Sequence, residues 1–185
     1  AGDIYRESQR LIALVEDIIH LSRLDEGGDG LKMEPVDLLE LARQTAGRLE
    51  PVARRAEVSI QVKGSPVKVR GVPAVLDEMV FNLCDNAVKY NQTGGSVTVS
   101  VEPGEHETVL TVADTGIGIP DQDRDRVFGR FYRVDKSHSR QIGGTGLGLS
   151  IVKHAAALHD ARIDLDSALG KGTTIRIRFP KEQKQ

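Results

Sequence analysis

The sequence predicts an α+β domain, a mixed sheet covered by a layer of helices, preceded by one long N-terminal helix. Three observations carry that prediction. Stretches of period-two alternation are interleaved with stretches of helical spacing. Two strand pairs, "GSVTVSVEP" with "HETVLTVADTG" and "ARIDLDS" with "GTTIRIRFP", are each adjacent in the chain, as antiparallel neighbours are. The first 25 residues show a narrow apolar stripe that "EGGDG" (Glu26 to Gly30) breaks. With 185 residues, the chain has room for one ordinary domain and a short extra element.

From about Asp3 to Asp25, the apolar positions Leu11, Leu14, Ile18 and Leu21 follow the 3-4-3 spacing of a coiled-coil or bundle seam. So narrow a stripe needs other helices to pack on. The next helix opens with Asp37 as N-cap and runs through "LLELARQTAGRLEPVARR", with Pro51 an expected irregularity. "VSIQVKG" and "VKVRG" read as short strands around a Ser-Pro turn. Pro73 suits a first helical position, and "AVLDEMVFNLCDNAVKY" continues at helical spacing. After the first strand pair come a loop, a short helix and a Gly-rich stretch. Gly148 to His159 is then helical, and the second strand pair closes the chain around "ALGKG".

Composition bounds the function. A net charge of −2 gives no bulk field for nucleic acid, and the Arg54-Arg55 pair reads as a solvated helix face. The single cysteine, Cys84, excludes an internal disulfide, fits a reducing cytosol and sits in an apolar helical run as a buried thiol would. No run of 18 or more apolar residues occurs, so a soluble, cytoplasmic chain is expected. The chain opens inside a helical pattern, as a piece of something longer would.

Four features occur in order, and each alone also suits ordinary structure. In Asn82-x-x-x-Asn86-Ala-x-Lys89, the spacing of four places both amides on one helix face with Lys89 nearby. Neutral amide oxygens and an ammonium can hold hydrated Mg²⁺ and the phosphates it bridges. Asp114-Thr-Gly-Ile-Gly-Ile-Pro120 follows a strand, so its carboxylate can accept from an exocyclic amine while its glycines admit a flat ring. Phe128-Gly-Arg-Phe131-Tyr-Arg sets Arg130 to reach a phosphate. Gly144-Thr-Gly146-Leu-Gly148 opens a helix, which turns backbone N–H groups and the positive helix end toward an anion. It is neither a Rossmann turn nor a Walker loop.

Together, "NLCDNAVKYN", "DTGIGIP", "FGRFYRVD" and "GGTGLGLSIVK" resemble the N, G1, F and G2 boxes of sensor histidine kinases, within the gyrase, Hsp90, histidine kinase and MutL superfamily. The resemblance covers essentially the whole chain and implies a two-layer α/β sandwich of the Bergerat type. It implies residues 1–27 as the second helix of a dimerisation hairpin, 28–36 as linker and 37–182 as the catalytic ATP-binding domain. It further implies ATP and Mg²⁺ as cofactors. Asn86 would ligate the metal with Asn82 beside it, Lys89 would meet the phosphates, and Tyr90 would flank the nucleotide. Asp114 would take the adenine amine in a pocket shaped by Gly116, Gly118 and Ile119, with Thr173 on the last strand pair also at the nucleotide. Arg130 would approach the γ-phosphate. Gly144, Thr145, Gly146, Leu147, Gly148 and Leu149 would supply the hinge and phosphate-facing backbone, under a lid at 134–143. Glu78 would support Asn82.

Position 82 discriminates within the superfamily, whose ATPases carry a glutamate there to activate water. Asn82 cannot take up a proton near neutral pH, so transfer to an acceptor is favoured over hydrolysis. One departure is His159-Asp160-Ala161 where His-Gly-Gly is common; Asp tolerates the left-handed conformation a helix end needs.

The family's phosphoacceptor lies in a His-Glu/Asp-Leu-Arg-x-Pro pattern, and none of His20, His106, His138, His154 or His159 matches it. His20 falls about 200° from Ile18 on a helical wheel, away from the apolar seam. The implied acceptor is therefore a histidine on a first dimerisation helix absent from this chain. The implied partners are that helix, a response-regulator receiver domain and a second copy in a homodimeric parent, anchored upstream in the bacterial inner membrane. Alternatives are a degenerate, nucleotide-binding module without phosphotransfer and an anti-sigma-type serine kinase. Intact boxes weigh against the first, and the hairpin-like helix against the second.

Overall fold

The computed structural model describes residues 2–5, 8, 11, 12, 15, 32–129 and 148–181. The described residues of the N-terminal stretch are helical and exposed where assigned, Ile4, Tyr5, Leu11, Ile12 and Val15 among them. His20, Leu14, Ile18 and Leu21 lie outside the described residues, as do the expected lid and His138.

The order of elements is β1 (Glu34–Asp37), α1 (Leu38–Arg55), β2 (Ser59–Gly64), β3 (Lys68–Gly71), α2 (Pro73–Lys89), β4 (Ser96–Pro103), β5 (Glu107–Asp114), a 3₁₀ turn (Asp121–Asp123), α3 (Gly148–Leu158), β6 (Arg162–Ala168) and β7 (Gly172–Pro180). Asp37 caps α1 as expected, its Oδ1 accepting from the N–H of Glu40 at 3.0 Å. The helix runs on through Pro51 without interruption, so the expected irregularity is not realised as a break. Gly47, at the i−4 position where the proline ring presses hardest, carries no side chain. Pro73 sits in the first turn of α2, where its missing N–H costs nothing.

Five strands form one sheet in the order β2-β4-β5-β7-β6, and β1 with β3 form a separate antiparallel pair. Both expected antiparallel pairs, β4–β5 and β6–β7, are present. β2 and β3 are strands, but they part company across the Ser-Pro turn. β2 pairs in parallel with β4, and β3 pairs with β1. β1 is the strand that sequence reading did not anticipate, because four residues including Pro35 give too short a pattern.

Alternation explains the sheet's burial. Thr108, Leu110 and Val112 of β5 are buried while their neighbours are half-exposed, and β4 contributes Val97, Val99 and Val101 to the same core. Leu76, Met79, Val80 and Leu83 of α2, with Ile151, Val152 and Ala155 of α3, are buried over it. Cys84 belongs to this core, and burial pushes its thiol up to about 12, so it is an inert apolar group. α3 ends as the sequence implied, with Asp160 just beyond it in the left-handed region at φ 52°.

The core assignment has a direct check. Leu110→Ala, in the middle of the sheet, should cost about 2–5 kcal/mol by chemical denaturation. Leu169→Ala, at an exposed turn tip, should stay within about 0.5 kcal/mol of the parent.

Candidate functional site

The site is built where α2, α3 and the loop after β5 meet. Asn82 and Asn86 are one turn apart on α2, half-buried. The Nδ2 of Asn82 donates to the carbonyl of Glu78 at 2.7 Å and lies 3.4 Å from its Oε2. That anchoring fixes the amide with its oxygen away from Glu78. Gly148, the first residue of α3, closes on the same spot. A methyl built there would stand 3.3 Å from Asn82 Oδ1 and 3.5 and 3.6 Å from the amide atoms of Asn86. The start of α3 is thus set against two amide side chains, and a helix start turns backbone N–H groups and positive dipole outward.

Lys89 is engaged. Its Nζ lies 2.8 Å from Asp85 Oδ2, one turn back on α2, with both side chains largely shielded. Tyr90 caps the helix, and its carbonyl accepts the N–H of Ile117 at 3.1 Å. The loop after β5 is therefore tied to the end of α2 by a backbone hydrogen bond. Gln92, Asn91, Ser96 and Thr115 reinforce the same joint: Gln92 Nε2 donates to the carbonyl of Thr115 at 2.9 Å, and Asn91 Nδ2 to that of Ser96 at 3.0 Å.

Asp114 ends β5. Its Oδ1 accepts two backbone N–H groups, from Gly116 at 2.8 Å and from Thr173 at 3.2 Å. Among the described residues no donor reaches Oδ2. Burial, which outweighs the two hydrogen bonds, lifts the carboxyl from 3.8 to about 6. Among the described residues, one oxygen is thus committed to the fold and the other accepts from no donor.

Gly118 adopts φ +74°, and a methyl on it would stand 2.0 Å from the carbonyl of Ala168, so only glycine fits against the β6–β7 turn. The neighbouring Ile119 N–H donates to Ser167 Oγ at 2.8 Å, and that hydroxyl lies 2.8 Å from Thr173 Oγ1. Ser167 also donates to the carbonyl of Gly172 at 3.0 Å. Sequence reasoning missed Ser167. It lies in no box, and its role arises only where the β6–β7 turn folds under the loop after β5.

The structure thus brings Asn82, Asn86 and Gly148 together at one end of the joint, and Asp114, Gly116, Gly118, Ile119 and Thr173 at the other. Tyr90 lies between them in the chain, and Leu149 follows Gly148 at the start of α3. Arg130, Gly144, Thr145, Gly146 and Leu147 lie outside the described residues. Among the described residues there is no cluster of three or more His, Cys, Asp or Glu side chains. The hard-oxygen donors of the amide pair fit a cation that keeps most of its waters and shares phosphate oxygens, as Mg²⁺ does.

A family model described as histidine kinase-, DNA gyrase B- and HSP90-like ATPase matches residues 71–183. The sensor histidine kinase WalK of Bacillus subtilis is 36% identical over 97% of this chain and 30% of its own length. The sensor-like histidine kinase SenX3 of Mycolicibacterium smegmatis is 38% identical over 98% of this chain and 47% of its own. The chain therefore spans under half the length of these relatives. Among solved structures, the mycobacterial sensor histidine kinase MprB superposes with TM-score 0.68 at 35% identity, covering 80% of this chain and 97% of that one. Full-length ShkA in complex with AMPPNP superposes with TM-score 0.80 at 30% identity, covering 94% and 36%.

The half-buried Asp114 carboxyl gives a stability prediction with a definite sign. A carboxyl raised above its unfolded value stabilises the fold fully below about pH 4 and loses that contribution as pH rises through about 6. Asp114→Asn keeps an oxygen for both backbone donors and removes the charge. It should be more stable than the parent by roughly 1–3 kcal/mol at pH 8, by denaturant titration, with the difference vanishing near pH 3.5.

Proposed function

The chain belongs to the family of histidine kinase-, DNA gyrase B- and HSP90-like ATPases and is a catalytic ATP-binding domain of the kind found in sensor histidine kinases, and from that premise we propose that it presents Mg-ATP to a histidine on a separate helix. The observation that carries the reading is the approach of the α3 N-terminus to the Asn82–Asn86 pair. Backbone N–H groups and a helix dipole favour a polyphosphate there. Asn86, with Asn82 beside it, would hold Mg²⁺, which would neutralise phosphate charge. Asp114 would accept from the adenine amine through Oδ2, with Thr173, Gly116, Gly118 and Ile119 around the ring and Tyr90 at its flank. Leu149 would support the phosphate-facing helix start.

Lys89 must leave Asp85 to meet a phosphate, an exchange of one anion for another of higher charge. Arg130 and the segment Gly144 to Leu147 complete the phosphate side in this reading, with 134–143 as a lid. Asn82 carries no basic lone pair near neutral pH, so water bound beside the γ-phosphate is not activated there. The γ-phosphoryl group instead passes to the imidazole of a histidine on the first dimerisation helix. From there it moves to an aspartate of a response-regulator receiver domain. The parent protein is a homodimer anchored at the bacterial inner membrane. In this chain no helix among the described residues is long and apolar enough to cross a membrane.

Two experiments test this. With ATP radiolabelled in the γ-phosphate, label should appear on an added first-helix domain and not on this chain alone. Binding without transfer to a competent acceptor would instead mark a nucleotide-binding module. Adenosine, which has no phosphate to titrate, should bind with constant affinity between pH 7 and 8. Its affinity by calorimetry should then fall about tenfold per unit well below pH 6, as Asp114 takes up its proton.

A further inference from the structure

His159 stands just beyond the last residue of α3, and both of its ring nitrogens are used. Nε2 accepts the backbone N–H of Val72 at 3.0 Å, and Nδ1 lies 2.7 Å from the carbonyl of Ala155 one turn back. Accepting at Nε2 requires the neutral ring with its proton on Nδ1, so the tautomer follows from the two contacts. The ring also meets Phe179 of β7 edge-on, with centroids 6.4 Å apart and planes at 77°. Gly71 leaves the space: a methyl there would stand 2.8 Å from Nε2. Val72 is the N-cap of α2, and its own side chain makes no capping hydrogen bond.

The two helices therefore meet at both ends. Gly148 begins α3 against Asn82 and Asn86, in the second half of α2. His159 ends it against the start of α2, about 16 Å away along an eleven-residue helix. A helix of three turns moves as a stiff rod, so where one end is fixed determines where the other lies. The geometry points to His159 as a positioning residue: its bond to Val72 fixes the register of α3 along α2 and so holds the α3 N-terminus against the amide pair. This rests on the reading of that pair as the phosphate end of the site. Asp114 and its loop are tied to α2 independently, through Tyr90.

The separation of the two ends supplies the test, calorimetry with Mg-ATP and with adenosine on the same chain. His159→Leu should weaken Mg-ATP about tenfold and leave adenosine within about twofold. His159→Gln, whose amide can accept from Val72 and donate to Ala155, should restore Mg-ATP to within about threefold of the parent. Should His159→Leu not fold, His159→Phe takes its place, keeping the ring against Phe179 without the acceptor. Unchanged Mg-ATP affinity in the variant, or a parallel loss of both ligands, would overturn the inference. A parent chain that binds adenosine but not Mg-ATP would overturn the phosphate-end assignment and the inference with it. One that binds neither would overturn the proposed function as well.

Discussion

The close approach of α3 to α2 governs the geometry on which the proposed phosphate end of this domain depends. An N-terminal helix end can serve an anion only if it lies open and faces other polar groups. Here the start of α3 faces two amide side chains, and Gly148 brings no side chain of its own between them and the helix backbone. Asn82 is in turn held by Glu78, one turn earlier on α2. The core beneath sets this crossing: Leu76, Met79 and Leu83 from one helix and Val152 and Ala155 from the other belong to one buried cluster. Small changes in packing there are felt at the polar rim, since interiors are close-packed and transmit displacement.

The second constraint is the treatment of Asp114. Most shielded carboxylates are paired with a cation; this half-buried one receives two backbone N–H groups on one oxygen and remains costly to ionise. The fold accepts a less stable arrangement in order to keep an acceptor in a shielded position. Such a cost is characteristic of sites rather than scaffolds. The hydroxyl pair of Ser167 and Thr173 serves the same region by bracing the loop against the β6–β7 turn.

Much of this could be read in the sequence, and the part that could not has a common cause. The four boxes are contiguous runs whose chemistry is local: amides at helical spacing, an acid at a strand end, glycines at a helix start. The two hairpin-like pairs were equally local, with alternation and short turns. What escaped depended on contacts between distant residues. β1 is four residues long and acquires strand character only from β3. Ser167 reaches Ile119 across 48 positions, and His159 reaches Val72 across 87. The Lys89–Asp85 pair is one helical turn apart, so its spacing is legible, but the pairing itself shows only once both side chains are placed.

The parallel pairing of β2 with β4 carries a consequence for how the domain is assembled. Strands that run the same way must be joined by a long crossover, and here that crossover contains β3 and α2. The helix bearing Asn82 and Asn86 is therefore the connection itself, not an appendage to a finished sheet. Closing the β2 edge and seating the amide pair are therefore linked, since the loop entropy of the crossover must be overcome before the parallel pairing compensates. A chain caught before that closure would hold the Asp114 hairpin and lack the other half of the site.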